Sequence, residues 1–190
     1  MIKLVVGLGN PGDVYQMTRH NIGFILVERY VEKRRGKFTE QKQDYHLATL
    51  KIRSLATYFC KPMTFMNLSG EAVSAAMKLH KVLPSEILAV SDDFALPFGK
   101  LRLRLSGSSG GHNGLESIVQ ELGTESFPRL RMGIGPVPEG VAWEEFVLQR
   151  FTDEELDALE EYIKLGIQCL DAAFYKGLSL AMNQFNSQAG

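Results

Sequence analysis

The chain has 190 residues, 45% of them hydrophobic and 23% charged, with a formal net charge of -1. That is ordinary globular composition, which argues against disorder and gives no support to a protein that is basic overall. The longest apolar runs, such as Ile2 to Val6 broken by Lys3, are too short for a membrane span, and the N-terminus lacks a basic-then-apolar signal pattern, so the expected address is the cytoplasm.

In chain order, Ile2 to Gly7 reads as a buried strand that breaks into a glycine loop bearing Asn10. A helix then begins beside His20, with Ile22, Ile25, Leu26 and Tyr30 on one face, and runs toward Gly36. A polar stretch follows. Tyr45 to Leu50 and Leu55 to Cys60 read as paired strands, followed by a loop from Lys61 to Leu68 and a helix carrying Ala72, Val73, Ala76 and Met77. Ile87 to Ser91 is another buried strand, expected to end at Asp92 and Asp93. In KLRLR, strict alternation places Lys100, Arg102 and Arg104 on one face and sends Leu101, Leu103 and Leu105 to the core. Arg129 and Arg131 repeat the pattern in RLRMGIG. Two basic strands in one sheet favour a phosphate-binding surface.

After the SGSSGG loop, Leu115, Ile118, Val119 and Leu122 define a helix that stops at Gly123. Thr152 and Glu155 form a capping-box pattern before a long helix faced by Leu156, Leu159, Ile163, Ile167 and Leu170. A last short helix packs Leu178, Ala181, Met182 and Phe185. Strands alternating with helices, plus one hairpin, predict an α/β fold: a single domain over residues 1–190 with a twisted mixed sheet and helices on both faces.

Imidazole titrates near neutrality, which makes His20 at a strand-to-helix junction a candidate general base, although a lone His is more often a surface residue. His20, His46, His80 and His112 show no HxxxH or HxxE spacing, and Cys60 and Cys169 lie far apart. Neither a metal site nor a disulfide framework is expected. Gly7, Gly9 and Gly12 match GxGxxG, yet Pro11 interrupts the turn and polar DVYQMTR follows it. A glycine turn that brings Asn10 close to a ligand is therefore favoured over a dinucleotide site, and no cofactor is expected.

VVGLGNPG with TRHNIG, KPMTFMNLSG, SDDFALPFG and GGHNGL, in this order and at these separations, resemble the bacterial peptidyl-tRNA hydrolases. The resemblance runs from the N-terminus through RLRMGIG and more loosely into the C-terminal helices. It implies hydrolysis of the ester joining a peptide to the 3′-terminal ribose of tRNA. It further implies that His20 is the base and that Asp92 is its carboxylate partner, a choice between Asp92 and Asp93 that the residues alone leave open. Asn10, Asn67 and Asn113 correspond to the family's site asparagines, with Asn113 the candidate donor to the developing oxyanion. On spacing alone, Asn67 and Asn113 are N-cap candidates. Tyr15 and Met66 match substrate-contact positions, and Arg102, Arg104 and Arg131 match positions that grip a phosphate of the acceptor stem.

The SGSSGG loop and its helix resemble the family's mobile gate. The chain departs from the family's common HDELDLP at SDDFALP, where Ser91 replaces a His and Ala95 replaces an acid. With no serine or cysteine in a nucleophile-elbow setting, direct attack by water is expected. Peptidyl-tRNA is the expected partner, and a monomer is the default. A non-catalytic RNA-binding relative is the alternative.

Overall fold

Runs of β-branched and aliphatic residues, separated by amphipathic stretches with apolar residues at helical spacing, fold into one twisted sheet between two helical layers. The computed structural model describes residues 1–186. Its strands are β1 (Leu4–Gly7), β2 (Phe38–Gln41), β3 (Tyr45–Ile52), β4 (Leu55–Pro62), β5 (Ile87–Pro97), β6 (Leu101–Arg104) and β7 (Arg129–Gly135). The helices are α1 (Ile22–Lys33), α2 (Ser69–His80), α3 (Asn113–Leu122), α4 (Trp143–Leu148), α5 (Asp153–Tyr175) and α6 (Leu178–Asn186).

The strand order is β2-β3-β4-β1-β5-β7-β6. The four central strands run parallel, while β2, β3 and β6 join antiparallel, so the sheet is mixed as expected. Period-two alternation sorts the central strands between the layers. Val5, Leu88, Val90, Leu130 and Met132 face α1 and α5, whereas Leu4, Val6, Ile87 and Ala89 face α2 and α3. Burial of both faces is what continuous apolar strands such as LVVG and ILAV require. A Cβ on Gly7 would collide with the Gly23 carbonyl, so glycine there lets β1 and α1 approach backbone to backbone.

Helix ends follow the local chemistry. Gly123 closes α3 in the left-handed region at φ 64°. At the start of α5, the Thr152 hydroxyl accepts from Glu155 N–H at 3.2 Å while the Glu155 carboxylate accepts from Thr152 N–H at 2.8 Å.

Several elements differ from the sequence reading. Strand β5 does not stop at Ser91; Asp92 and Asp93 lie inside it, held by parallel pairing to Met132 and Gly133. Strand β2 falls in the stretch read only as polar, because its FTEQ sequence is an edge strand stabilised by β3. Leu105 lies beyond β6 and Leu156 on the outer side of α5, both exposed rather than facing the core. Helix α4, only six residues long, is too short to show periodicity. Cys60 and Cys169 are free, buried thiols, and burial pushes the Cys169 thiol up to about 12. No helix among the described residues is long and apolar enough to cross a membrane.

Candidate active site

Four chain segments meet β5, β7 and residues 65–67 at the carboxyl end of the central strands, where open α/β sheets commonly bind ligands. The first is the loop after β1. Asn10 N–H donates to Asn21 Oδ1 at 2.8 Å, and Asn21 Nδ2 returns a hydrogen bond to Asn10 carbonyl oxygen at 2.9 Å. Asn10 Oδ1 in turn accepts from Met66 N–H at 2.9 Å. Its amide nitrogen has no hydrogen-bond partner among the described residues, and Asn10 lines a cavity of about 490 Å³.

The second segment is the tight turn Arg19–Asn21 that leads into α1. His20 is not a surface residue: it is 7% exposed, and its Nδ1 lies 2.8 Å from Asp92 Oδ1, contributed by β5. Burial alone would lower the His20 pKa, but the Asp92 charge and hydrogen bond outweigh it and the net shift is upward. Asp92 is buried too, which by itself would raise its pKa; the two imidazoles beside it dominate and hold it well below the usual carboxylate range.

The third segment is the start of α3, and it brings a residue absent from the expected site. His112 Nδ1 accepts from Gly114 N–H at 3.1 Å and Leu115 N–H at 3.2 Å, so the ring caps the helix. Its Nε2 then carries the proton and donates to Asp92 Oδ1 at 2.9 Å. Both histidines thus converge on one carboxylate oxygen. The expected N-capping by Asn67 and Asn113 is not found: His112 caps α3, and α2 begins at Leu68 without a side-chain cap. Both amides are exposed and line the cavity.

The fourth segment is α4, whose Trp143, Val147 and Leu148 form the apolar wall facing Phe65 and Met66. Arg19 bolts this wall to the His20 turn. It is 4% exposed, pairs with Glu155 through Nη2 at 2.7 Å and Nε at 3.3 Å, donates to Arg150 carbonyl oxygen at 2.8 Å, and lies 4.4 Å over the Phe146 ring. Arg19 N–H to Gln149 and Phe151 N–H to Met17 zip the two backbones together.

The remaining expected residues are placed unevenly. Arg102 sits opposite Arg131 across β6 and β7, half-buried, and Arg104 beside them is exposed. Arg131 pairs with Asp93 at 3.0 Å and lines the cavity. Arg129, read as part of the basic surface, is instead 1% exposed, its Nη1 and Nη2 donating to the Ser108, Glu125 and Phe127 carbonyls while its buried Nε has no hydrogen-bond partner among the described residues. It is too far inside to meet a phosphate. Tyr15 lies on a short turn after the glycine loop and does not line the cavity. Asp93, not Asp92, makes the local turn bond, accepting from Ala95 N–H at 3.0 Å.

His20, Asp92 and His112 also form a group whose ligand atoms lie within 4.8 Å of one another, a possible cation site that spacing in the sequence did not reveal. Their 2.8 and 2.9 Å separations are hydrogen-bond lengths, and a metal would have to displace the protons that occupy them. The residues present fit proton transfer as they stand. His112, Phe65, Trp143 and Arg19 went unread: GGHNGL, KPMTFMNLSG and TRHNIG contain the first, second and last of them, and nothing local marked Trp143.

The peptidyl-tRNA hydrolase family profile matches residues 4–190. Among similar proteins, a peptidyl-tRNA hydrolase of Methylacidiphilum infernorum is 45% identical over 98% of this chain and 99% of its own length. That of Aquifex aeolicus is 42% identical over 98% and 97%. The crystal structure of peptidyl-tRNA hydrolase from Acinetobacter baumannii superimposes with a TM-score of 0.90 at 33% identity, covering 97% of this chain and 94% of that one. With a profile spanning nearly the whole sequence and relatives matched end to end, the chain belongs to the peptidyl-tRNA hydrolase family.

Proposed function

We propose that the chain hydrolyses the ester between a peptide and the 3′-terminal ribose of tRNA, with His20 as general base. The observation that carries this reading is the buried His20–Asp92 pair at 2.8 Å, set at a cavity lined by three asparagines. Because Asp92 accepts at Nδ1–H, Nε2 of His20 is the nitrogen left to take a proton from water. The water oxygen attacks the ester carbonyl carbon and a tetrahedral oxyanion forms. Its collapse breaks the bond to the ribose oxygen, which leaves with the proton now on the imidazolium. The Asp92 carboxylate stabilises that cation during both steps.

Asn113 donates to the oxyanion, where a fixed dipole lowers the barrier without reorganisation. Asn10 offers its unpartnered amide nitrogen, and Asn67 its amide, to the peptide carbonyls next to the ester. Met66 packs beside them, and Tyr15, outside the cavity, meets the substrate beyond its rim. Arg102, Arg104 and Arg131 hold an acceptor-stem phosphate. In this reading residues 1–190 act as one monomeric unit in the cytoplasm, with the tRNA acceptor stem and the peptide as the two halves of the substrate. The SGSSGG loop with α3 gates the peptide cleft.

The test is incubation with N-acetyl-aminoacyl-tRNA and, in parallel, with the unblocked aminoacyl-tRNA. Cleavage of the blocked form alone is expected, and its loss in His20→Ala with tRNA affinity retained. Retention of cleavage in His20→Ala would remove His20 as the base.

A further inference from the structure

Beside the catalytic cavity lies a second groove of about 580 Å³, and Phe94 and Trp143 line both. Their rings stack with centroids 5.3 Å apart and an interplanar angle of 19°, forming a shelf between the two spaces. All eight residues that line the second groove are apolar: beyond the shelf come Pro97 and Ala95 from β5, and Pro136, Val137, Val141 and Ala142 from the segment before α4. Ala95 is the position at which SDDFALP departs from an acid, so this wall carries no carboxylate.

We propose that this groove is a subsite for apolar side chains of the peptide upstream of the ester-linked residue. The proposal deepens the hydrolase reading above and rests on it. Three observations carry it.

The first is reach. Phe94 follows Asp92 by two residues on β5, at most about 7 Å along the chain, and an extended peptide covers about 7 Å in two residues. A peptide leaving the ester beside Asp92 therefore meets the shelf with its second residue and the groove with the next.

The second is charge. Glu139 and Glu145 are exposed on the segment that carries Pro136, Val137, Val141 and Ala142, and Glu144 beside Trp143 lines the catalytic cavity, whereas Arg102 and Arg104 lie on β6 and Arg131 on β7. A polyphosphate strand is repelled from the acidic side and drawn to the basic one, which leaves the groove to the peptide.

The third is rigidity. Trp143 stands at the start of α4, whose Phe146 is pinned beneath the buried Arg19 guanidinium, and Phe94 is partly buried against the core. A preformed apolar surface binds side chains without first paying to order itself.

The experiment measures kcat and KM for two three-residue substrates, N-acetyl-Leu-Leu-Gly-tRNA and N-acetyl-Asn-Asn-Gly-tRNA, which share the same tRNA and ester-linked residue. The unsubstituted protein should favour the leucine substrate about tenfold in kcat/KM, chiefly through KM. Val137→Asp and Val141→Asp, each checked for an unchanged thermal midpoint, should bring that ratio close to one. Equal kcat/KM for both substrates in the unsubstituted protein, or a ratio untouched by both variants, would overturn the subsite. A Trp143→Ala variant that raises KM equally for both substrates, and weakens deacylated tRNA to the same degree, would also overturn it by assigning the shelf to a nucleobase. Failure to cleave any blocked substrate would instead sink the hydrolase reading, and the subsite with it.

Discussion

His112 Nε2 lies 2.9 Å from Asp92 Oδ1, the same oxygen that holds His20 Nδ1 at 2.8 Å. Because the other nitrogen of His112 is occupied by two helix N–H groups, this ring can only donate to the carboxylate. The start of α3 thereby fixes Asp92, and Asp92 fixes the tautomer of His20. His112→Asn keeps a short side-chain oxygen for the cap but loses the reach to Asp92. We expect kcat/KM to fall about 10- to 100-fold with little change in thermal midpoint. Relieved of one donor, Asp92 binds the His20 proton more firmly, so the acid limb of the pH–rate profile moves to higher pH. An unmoved limb would show that His112 acts on the helix alone.

Asp92→Asn removes the two influences that raise the His20 pKa and leaves burial, which lowers it. The acid limb of kcat/KM should therefore move from above the ordinary histidine value of 6.5 to below it. The rate should drop by roughly 10² to 10⁴ at the same time, since the ring is no longer held in the productive tautomer. A limb that shifts upward would contradict the pairing.

The same pair sets a pH window for stability. His20, with a raised folded value, contributes in full below its unfolded value of 6.5, and this is lost as pH rises through the folded value. Asp92, with a depressed value, contributes above its unfolded 3.8, and this is lost as pH falls through the folded value. The stability gap between the natural chain and His20→Gln, measured by urea unfolding, should be widest between about pH 4 and 6.5 and shrink on either side.

Arg104→Ala should weaken tRNA binding and reduce the slope of log K against log salt by about one, because one phosphate contact is lost. A binding loss with no change in slope would place Arg104 outside the electrostatic footprint.

Arg129→Met should do the reverse. Its guanidinium satisfies three carbonyls inside the protein, so the substitution is expected to cost about 2 kcal/mol in urea unfolding while the salt slope of tRNA binding stays unchanged.

Arg104 and Arg129 show where the sequence was readable and where it was not. Alternation put both on one face of the sheet, and they do face each other across β6 and β7. Alternation says nothing of what covers that face, and the loop from Ser106 to Gly111 with the chain at Glu125 closes over Arg129 only. The same division holds elsewhere. Periodicity and capping chemistry are local, so α3, its Gly123 stop and the Thr152–Glu155 box were legible. Strand β2 is a polar edge strand held by pairing to the adjacent β3, and helix α4 is only six residues long, so neither left a periodic trace. At the site, the matching motifs singled out His20, Asp92, Asn10, Met66, Asn67 and Asn113, all of which line or floor one cavity, while Tyr15 does not. His112 was passed over because its spacing to other histidines suits no metal. Its geometry depends on a helix start meeting a carboxylate 20 residues away.

Glu155 completes the cap of α5 and, with the same carboxylate, grips Arg19, whose neighbour in the chain is His20, the proposed base. Helix α5 is thus wired to the His20 turn although none of its residues lines the cavity. A protease cut between Gln149 and Thr152 would leave His20, Asp92 and the central sheet in one piece, yet would free the start of α5 from the segment that precedes it and so loosen the Glu155 grip on Arg19, and the nicked protein is expected to keep its shape and lose turnover.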